Sequence, residues 1–161
     1  MTRFTSQDAN RAHETWGCNC GPGVLAAIMD MTLDEVHPHL RGFDEKGYTD
    51  PNMMNDALRS IGRTWRKIGR GWPNWGLVRV QWEGLWTQPG VPVRARYRYT
   101  HWIGCQTVAH GIGIFDINCM NNGTGWVSLA NWEMHTVPFL TGLYPRASGK
   151  WHITHAIEVS R

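Results

Sequence analysis

The sequence predicts an α+β domain, and three observations carry that reading. The clear helix signals fall before Gly62. The strand-like runs fall after it. Gly, Pro or Asn separates each run from the next. At 161 residues with 42% hydrophobic side chains, the chain has the size of a single domain, 1–161, with apolar matter enough for a core.

Residues 1–15 are polar and read as an irregular lead-in. Asn19 is a good N-cap, and the run behind it, CGPGVLAAIMDM, is apolar and rich in helix formers, so it predicts a buried helix over 20–31. Pro22 is tolerated there because it lies in the first turn. Thr32-Leu33-Asp34-Glu35 is a capping box that opens a second short helix, to about residue 40, which Pro38 cuts short. Asp50-Pro51 opens a third helix that Gly62 stops. Its residues Met53, Met54, Ala57, Leu58 and Ile61 share one face.

Beyond Gly62, residues 65–69, 76–84, 91–99, 101–108, 111–118 and 151–159 read as strands, short and rich in β-branched and aromatic residues. In the third of them Arg94, Arg96 and Arg98 alternate with Ala95, Tyr97 and Tyr99, a period of two. Gly123-Thr124-Gly125 reads as a turn, and Ser128 as the cap of a short helix over 129–135. The arrangement expected is N-terminal helices packed on a twisted antiparallel sheet.

Composition narrows the function. No run of about 18 apolar residues is present, so no membrane span is expected. The first residues have no apolar core of a secretory signal, so the expected compartment is the cytoplasm. The four cysteines are then expected as free thiols. Neither a Walker A pattern nor GxGxxG after a strand occurs, which speaks against a nucleotide-driven enzyme. The net charge of +3 is unevenly spread. Residues 1–56 hold nine acids and four bases, and residues 57–100 hold nine bases and one acid. Such a basic middle can attract an anionic partner. The interleaving of Arg94, Arg96 and Arg98 with aromatics also fits a stacking-plus-phosphate surface for nucleic acid, although a solvated strand face is the preferred explanation.

The chemistry centres on Asn19-Cys20-Gly21-Pro22. A thiol at a helix N-terminus sits in the positive end of the helix field, which favours thiolate, and the free N–H groups can hold a developing oxyanion. A nucleophilic cysteine needs a base, and the base an orienter. His101 opens one strand and Asp116 closes the next. A tight turn near His110-Gly111 brings the two side by side at one sheet end. Cys18 is the rival nucleophile. Cys18 and Cys20 with Cys105, Cys119 and the histidines fit zinc poorly, because C-x-C is not a usual ligand spacing and no second close pair exists. No metal and no cofactor are expected. His152 and His155 read as structural.

Three segments, NCGPGVLAAIMDMTLDEVHPHL, THWIG, and FDIN with GWVSLANWE, together resemble the papain-like cysteine peptidases, closest to the C39-like, double-glycine leader peptidases. The likeness spans about residues 14–133. It implies a papain-like fold, Cys20 as nucleophile, His101 as general base and acid, and Asp116 as orienter. It further implies a protein or peptide substrate, and a lone domain of this kind suits a bacterium or phage. The family places Gln six residues before the nucleophile, and here that position holds Glu14. An ionised carboxylate repels an oxyanion. Either Glu14 is protonated, or the Trp16 N–H or the Asn19 amide serves, or the hole is incomplete. The expected activity is a cysteine-dependent hydrolase or acyl transferase working on an amide through a thioester. The alternative is a nucleic-acid-binding or protein-interaction module on a papain-like scaffold with a degenerate site.

The ten tryptophans exceed what core filling needs. Trp16 and Trp102 flank the proposed catalytic residues in sequence. They suggest a Trp-walled cleft, with Trp72, Trp75, Trp82 and Trp86 as its outer rim. Trp65 and Trp151 are left to the core.

Overall fold

The computed structural model describes residues 2–161. Five helices precede the sheet: α1 (Ser6–Trp16), α2 (Cys20–Met29), α3 (Leu33–Val36), α4 (Phe43–Lys46) and α5 (Pro51–Ile61). Strands β1 (Trp65–Gly69) and β2 (Trp75–Gly84) follow, then the single-turn α6 (Val93–Arg96), β3 (Thr100–Val108), β4 (Gly111–Phe115) and β5 (Trp126–Ser128). A helical run of α7 (Leu129–Asn131), a π-turn (Trp132–Thr136) and α8 (Val137–Gly142) leads into β6 (Ala147–Val159). The six strands pair antiparallel throughout, in the order β1-β6-β2-β3-β4-β5. The α+β class therefore holds.

The two faces of the sheet carry separate cores. On one face, Leu77, Trp102, Phe115, Ile157 and Val159 meet Val24, Leu25 and Ile28 of α2 together with Leu33, Met54 and Leu58. On the other, Val78, Val80, Ile103 and Ile114 meet Trp132, Val137 and Leu140. Burying a side chain of this size is worth about 1.5–3 kcal/mol each. Helix α2 is apolar all round, and nine of its residues are buried, as expected for a helix enclosed on every side. It approaches β3 closely because Gly104 lacks a side chain: a Cβ there would stand 3.2 Å from atoms of both Val24 and Ile28.

The capping box at Thr32–Glu35 and the Asp50–Gly62 helix form as their sequences require. Thr32 and Glu35 bond reciprocally, Asp50 Oδ1 accepts from the Met53 N–H at 2.9 Å, and Gly62 closes its helix at φ 82°. The second helix is shorter than expected, since after Val36 the chain tightens into a 3₁₀ turn over His37–His39 that contains Pro38. Likewise α2 stops at Met29, with Asp30 left-handed at φ 54°.

Two segments depart further from the sequence reading. Residues 6–16 are a helix, not an irregular lead-in. Its signal is a cap rather than a periodicity: Asp8 N–H donates to Thr5 Oγ1 and Thr5 N–H to Asp8 Oδ2, while only Ala9 and Ala12 of the helix are buried. Residues 91–99 are not a strand. Pro92 nucleates one helical turn, its carbonyl accepting from the N–H groups of Ala95 and Arg96. The alternation has no ladder to join, because β2 is paired by β3 and β6, and β3 by β2 and β4. The expected 129–135 helix extends to Gly142 through the π-turn, where the Val137 N–H reaches back to the Trp132 carbonyl. Pro138 follows at once and has no N–H to continue the ladder. β6 begins four residues earlier than expected, since Ala147 pairs with Gly84. Among the described residues no helix is long and apolar enough to cross a membrane.

Candidate active site

The β3–β4 hairpin is in register through Gly104↔Phe115. Asp116 follows directly, opposite Ile103 if that register is carried one residue further, and so shares a face with His101. Its carboxylate reaches the imidazole: His101 Nε2 donates to Asp116 Oδ2 at 2.9 Å. The same oxygen accepts the Trp132 indole N–H at 2.8 Å. The other oxygen, Oδ1, accepts the backbone N–H and the side-chain amide of Asn118, both at 2.9 Å. Asp116 is fully enclosed and His101 is 7% exposed.

These contacts set the charges. Burial alone would raise the Asp116 carboxyl, but the His101 charge and the hydrogen bonds from His101, Trp132 and Asn118 outweigh it and hold the group below its ordinary value. Burial would likewise depress His101, yet the Asp116 charge and hydrogen bond prevail and raise it. The pair therefore favours imidazolium beside carboxylate. With Nε2 committed to Asp116, Nδ1 is the nitrogen left for a thiol.

Cys20 is the first residue of α2, with Asn19 at the N-cap position. Its sulfur stands 3.8 Å from that of Cys18, and all four cysteines are free. The two thiols titrate as a pair. The hydrogen bond from Cys20 brings the Cys18 thiol down to about 6, with His101 and His13 adding to the effect. That same bond, burial and the neighbouring charge push the Cys20 thiol up, partly offset by the Trp102 main-chain N–H at its sulfur. One proton leaves easily and the second is held. Cys105 lies in the core and burial alone pushes its thiol up to about 12.

Both thiols open on a cleft of about 480 Å³ whose lining includes Thr49, Arg79, Tyr97 and Trp102. Gly21 allows the cleft wall to close on the helix, for a Cβ there would fall 2.0 Å from Thr49 Oγ1. Trp102 is locked in place by its indole N–H on the Thr49 carbonyl, at 3.2 Å. Tyr99, two residues before His101, holds a left-handed φ of 54° and packs against Trp86 and Tyr144.

Among the residues singled out from sequence, His101 and Asp116 meet directly, and Cys20 joins Trp102 and Arg94 in the cleft. No direct hydrogen bond joins Cys20 to His101. The link runs through Cys18, on which the His101 charge acts. Glu14, Trp16 and Asn19 do not line the cleft. Glu14 is exposed on α1, Trp16 is stacked on His37 with ring centroids 4.5 Å apart, and the Asn19 amide donates to the Ala9 carbonyl at 2.8 Å. Of the first turn of α2, Cys20 itself lines the cleft, across from Thr49.

Trp72 and Trp75 also lie elsewhere. Trp75 pairs opposite Gln106 and stacks on Trp126, and it lies five positions along the strand from Val80, the partner of His101, a span of about 17 Å. Trp72 packs edge-on against Trp151, which in turn meets Trp132. Trp82 stacks over both His101 and Trp132. The indoles thus wall the rear of the His101–Asp116 pair rather than the front of the cleft. The arginines do not form one striped face: Arg94 reaches the cleft, Arg96 donates to the Val91 carbonyl, and Arg98 is exposed. Among the described residues no group of three His, Cys, Asp or Glu is placed to hold a metal.

Thr49, Arg79 and Asn118 are the site residues that sequence reasoning missed, and Trp82, expected at the outer rim, lies instead against His101. Only Asn118 had a local signal, an Asx turn two residues past Asp116. No family model matches the chain, and no curated protein matches it.

Proposed function

We propose that the protein is a papain-like cysteine hydrolase or acyl transferase that acts on an amide bond through Cys20, His101 and Asp116. The observation that carries the reading is the enclosed His101–Asp116 pair, whose charge acts on a thiol pair at the start of a buried helix. Such a pairing activates a sulfur at neutral pH and supplies the proton its leaving group needs.

In the reaction the Cys20 thiolate attacks the substrate carbonyl, and the carbon–sulfur bond forms. The carbonyl oxygen takes the negative charge, facing the N–H groups of the first turn of α2. The His101 imidazolium gives its proton to the leaving amine as the C–N bond breaks, leaving a thioester. His101, now neutral, takes a proton from water or another nucleophile, which attacks the thioester carbon and releases the Cys20 thiolate. Asp116 keeps the ring oriented and its charge balanced throughout. In the resting pair the thiolate charge lies on Cys18 and the retained proton on Cys20, so Cys18 takes that proton as the Cys20 sulfur attacks.

The test is second-order labelling with iodoacetamide at pH 7, with the modified residue located by mass spectrometry. Cys20 should react at least tenfold faster than Cys105, and Cys20→Ala should abolish labelling at that site while the fold persists. Equal rates at Cys20 and Cys105 would refute the nucleophile.

A further inference from the structure

Arg79 is a buried cation without a salt-bridge partner, although the charges of Asp50 and Cys20 act on it from further off. It is 8% exposed and makes no ion pair with any carboxylate of the described residues. The Asp50 carboxylate is engaged by Lys46 at 2.8 Å. The cross-strand neighbours of Arg79 are Trp102 and His155, neither of them an anion. A buried, unpaired charge costs several kcal/mol, so a fold that keeps one invites an external partner.

The guanidinium is also incompletely bonded. Nη2 donates to Thr100 Oγ1 at 3.1 Å, which fixes the plane of the group, while the buried Nε has no partner. A second buried orphan is the Thr49 hydroxyl oxygen. Both residues line the cleft that holds Cys20. Each unsatisfied buried polar atom calls for an explanation, and two of them lie in this one cleft.

We propose that Arg79 and Thr49 form an anion subsite beside Cys20, which takes a carboxylate carried by the substrate close to the scissile carbonyl. A carboxylate matches the planar edge of a guanidinium, accepting from Nε and Nη2 together. The third oxygen contact falls to the Thr49 hydroxyl, which lies over the first turn of α2. Arg94, at the rim of the cleft, draws the anion in. This inference rests on the nucleophile reading and names its substrate class: acyl compounds or peptides that are acidic next to the bond attacked.

The test compares two alkylating probes of nearly equal size, iodoacetate and iodoacetamide, at Cys20. The ratio of their rates is set against that of glutathione in the same buffer, with adduct sites mapped by mass spectrometry. The expected ratio at Cys20 is at least tenfold above that of glutathione. It should fall toward the glutathione value in Arg79→Met, fall partway in Arg79→Lys and in Thr49→Val, and fall in the wild-type protein as acetate is added. If Arg79→Met does not fold, the lysine and valine variants carry the comparison. A ratio equal to that of glutathione, or one unchanged by all three variants, overturns the subsite. The absolute iodoacetamide rate tests the nucleophile separately, so slow labelling by both probes with a high ratio would sink the hydrolase and leave the subsite standing.

Discussion

Trp132 donates its indole N–H at 2.8 Å to the Asp116 oxygen that also accepts from His101. The π-turn at Trp132–Thr136 carries this indole, and Asp116 caps the 3₁₀ turn after β4. The orienting carboxylate is therefore held from an element the hairpin itself does not contain. Trp132→Phe keeps most of the ring and removes the donor. A hydrogen bond to a charged group is worth about 1.5–3 kcal/mol, so a loss of about 2–4 kcal/mol in urea unfolding is expected once the smaller ring is included. A loss below about 0.5 kcal/mol would mean that the indole N–H satisfies nothing.

Asp116→Asn removes the carboxylate charge and its hydrogen bond, the larger influences that raise His101, and leaves burial, which depresses it, against the lesser charge of Cys18. The His101 imidazole should then titrate below its ordinary value of about 6.5. In the wild-type protein it should titrate above. NMR of the ring Cε1 proton reads the difference directly, and an unchanged titration would show that the carboxylate does not control the ring.

Cys18→Ala tests the thiol pair. In the wild-type protein one proton leaves with a pKa of about 6, because the neighbouring thiol donates to the thiolate. Without Cys18 the hydrogen bond and the charge that push the Cys20 thiol up are gone, so the acid limb of Cys20 alkylation should move to lower pH. A profile that stays in place would show that Cys20 ionises independently of Cys18.

Stability should depend on pH through the same residues. The folded Asp116 carboxyl lies below its ordinary value, so its contribution is full above about pH 4 and is lost as pH falls through the folded value. The folded His101 lies above its ordinary value, so its contribution is full below about pH 6.5 and is lost as pH rises through the folded value. The urea midpoint should show a plateau between these limits and fall on both sides. Asp116→Asn should remove the alkaline fall and, with the folded His101 now below its ordinary value, make stability decline as pH drops below about 6.5.

Gly21→Ala places a methyl group 2.0 Å from Thr49 Oγ1 and 2.6 Å from its Cγ2. Overpacking of this kind costs about 1–3 kcal/mol. Thr49→Ala removes those two atoms but leaves its Cβ at 2.7 Å, so the double variant should recover part of the loss. Additive effects in a double-mutant cycle would contradict the contact.

What could be read from the sequence was what is local. Asp50, Thr32 and Glu35 announce their helix starts through bonds spanning three residues. His101 and Asp116 are tied by one hairpin, so counting residues across its turn brings them together. Arg79 and Thr49 escaped because their meeting depends on β2 lying beside β3 and on α2 pressing against the segment before α5. The Arg94–Arg98 alternation misled because period two marks a strand only where a ladder is free, and β2 and β3 have none to offer. Trp72 and Trp75 were misplaced for a related reason: proximity in sequence to a basic stretch says nothing about which way the strand then runs.

The last strand, β6, lies inside the sheet, and β1 touches no other strand. β1 is complete by residue 69, yet its only strand partner begins at residue 147. Such a topology cannot grow outward from its first hairpin. The central ladder must wait for the closing residues of the chain, which makes for a high contact order and slow, cooperative folding. During synthesis β1 and one edge of β2 stay open until β6 emerges to fill the slot between them. The cell then holds an unfinished sheet whose exposed edges other strands can join, and a chain interrupted before residue 147 would be a candidate for aggregation rather than a smaller folded domain.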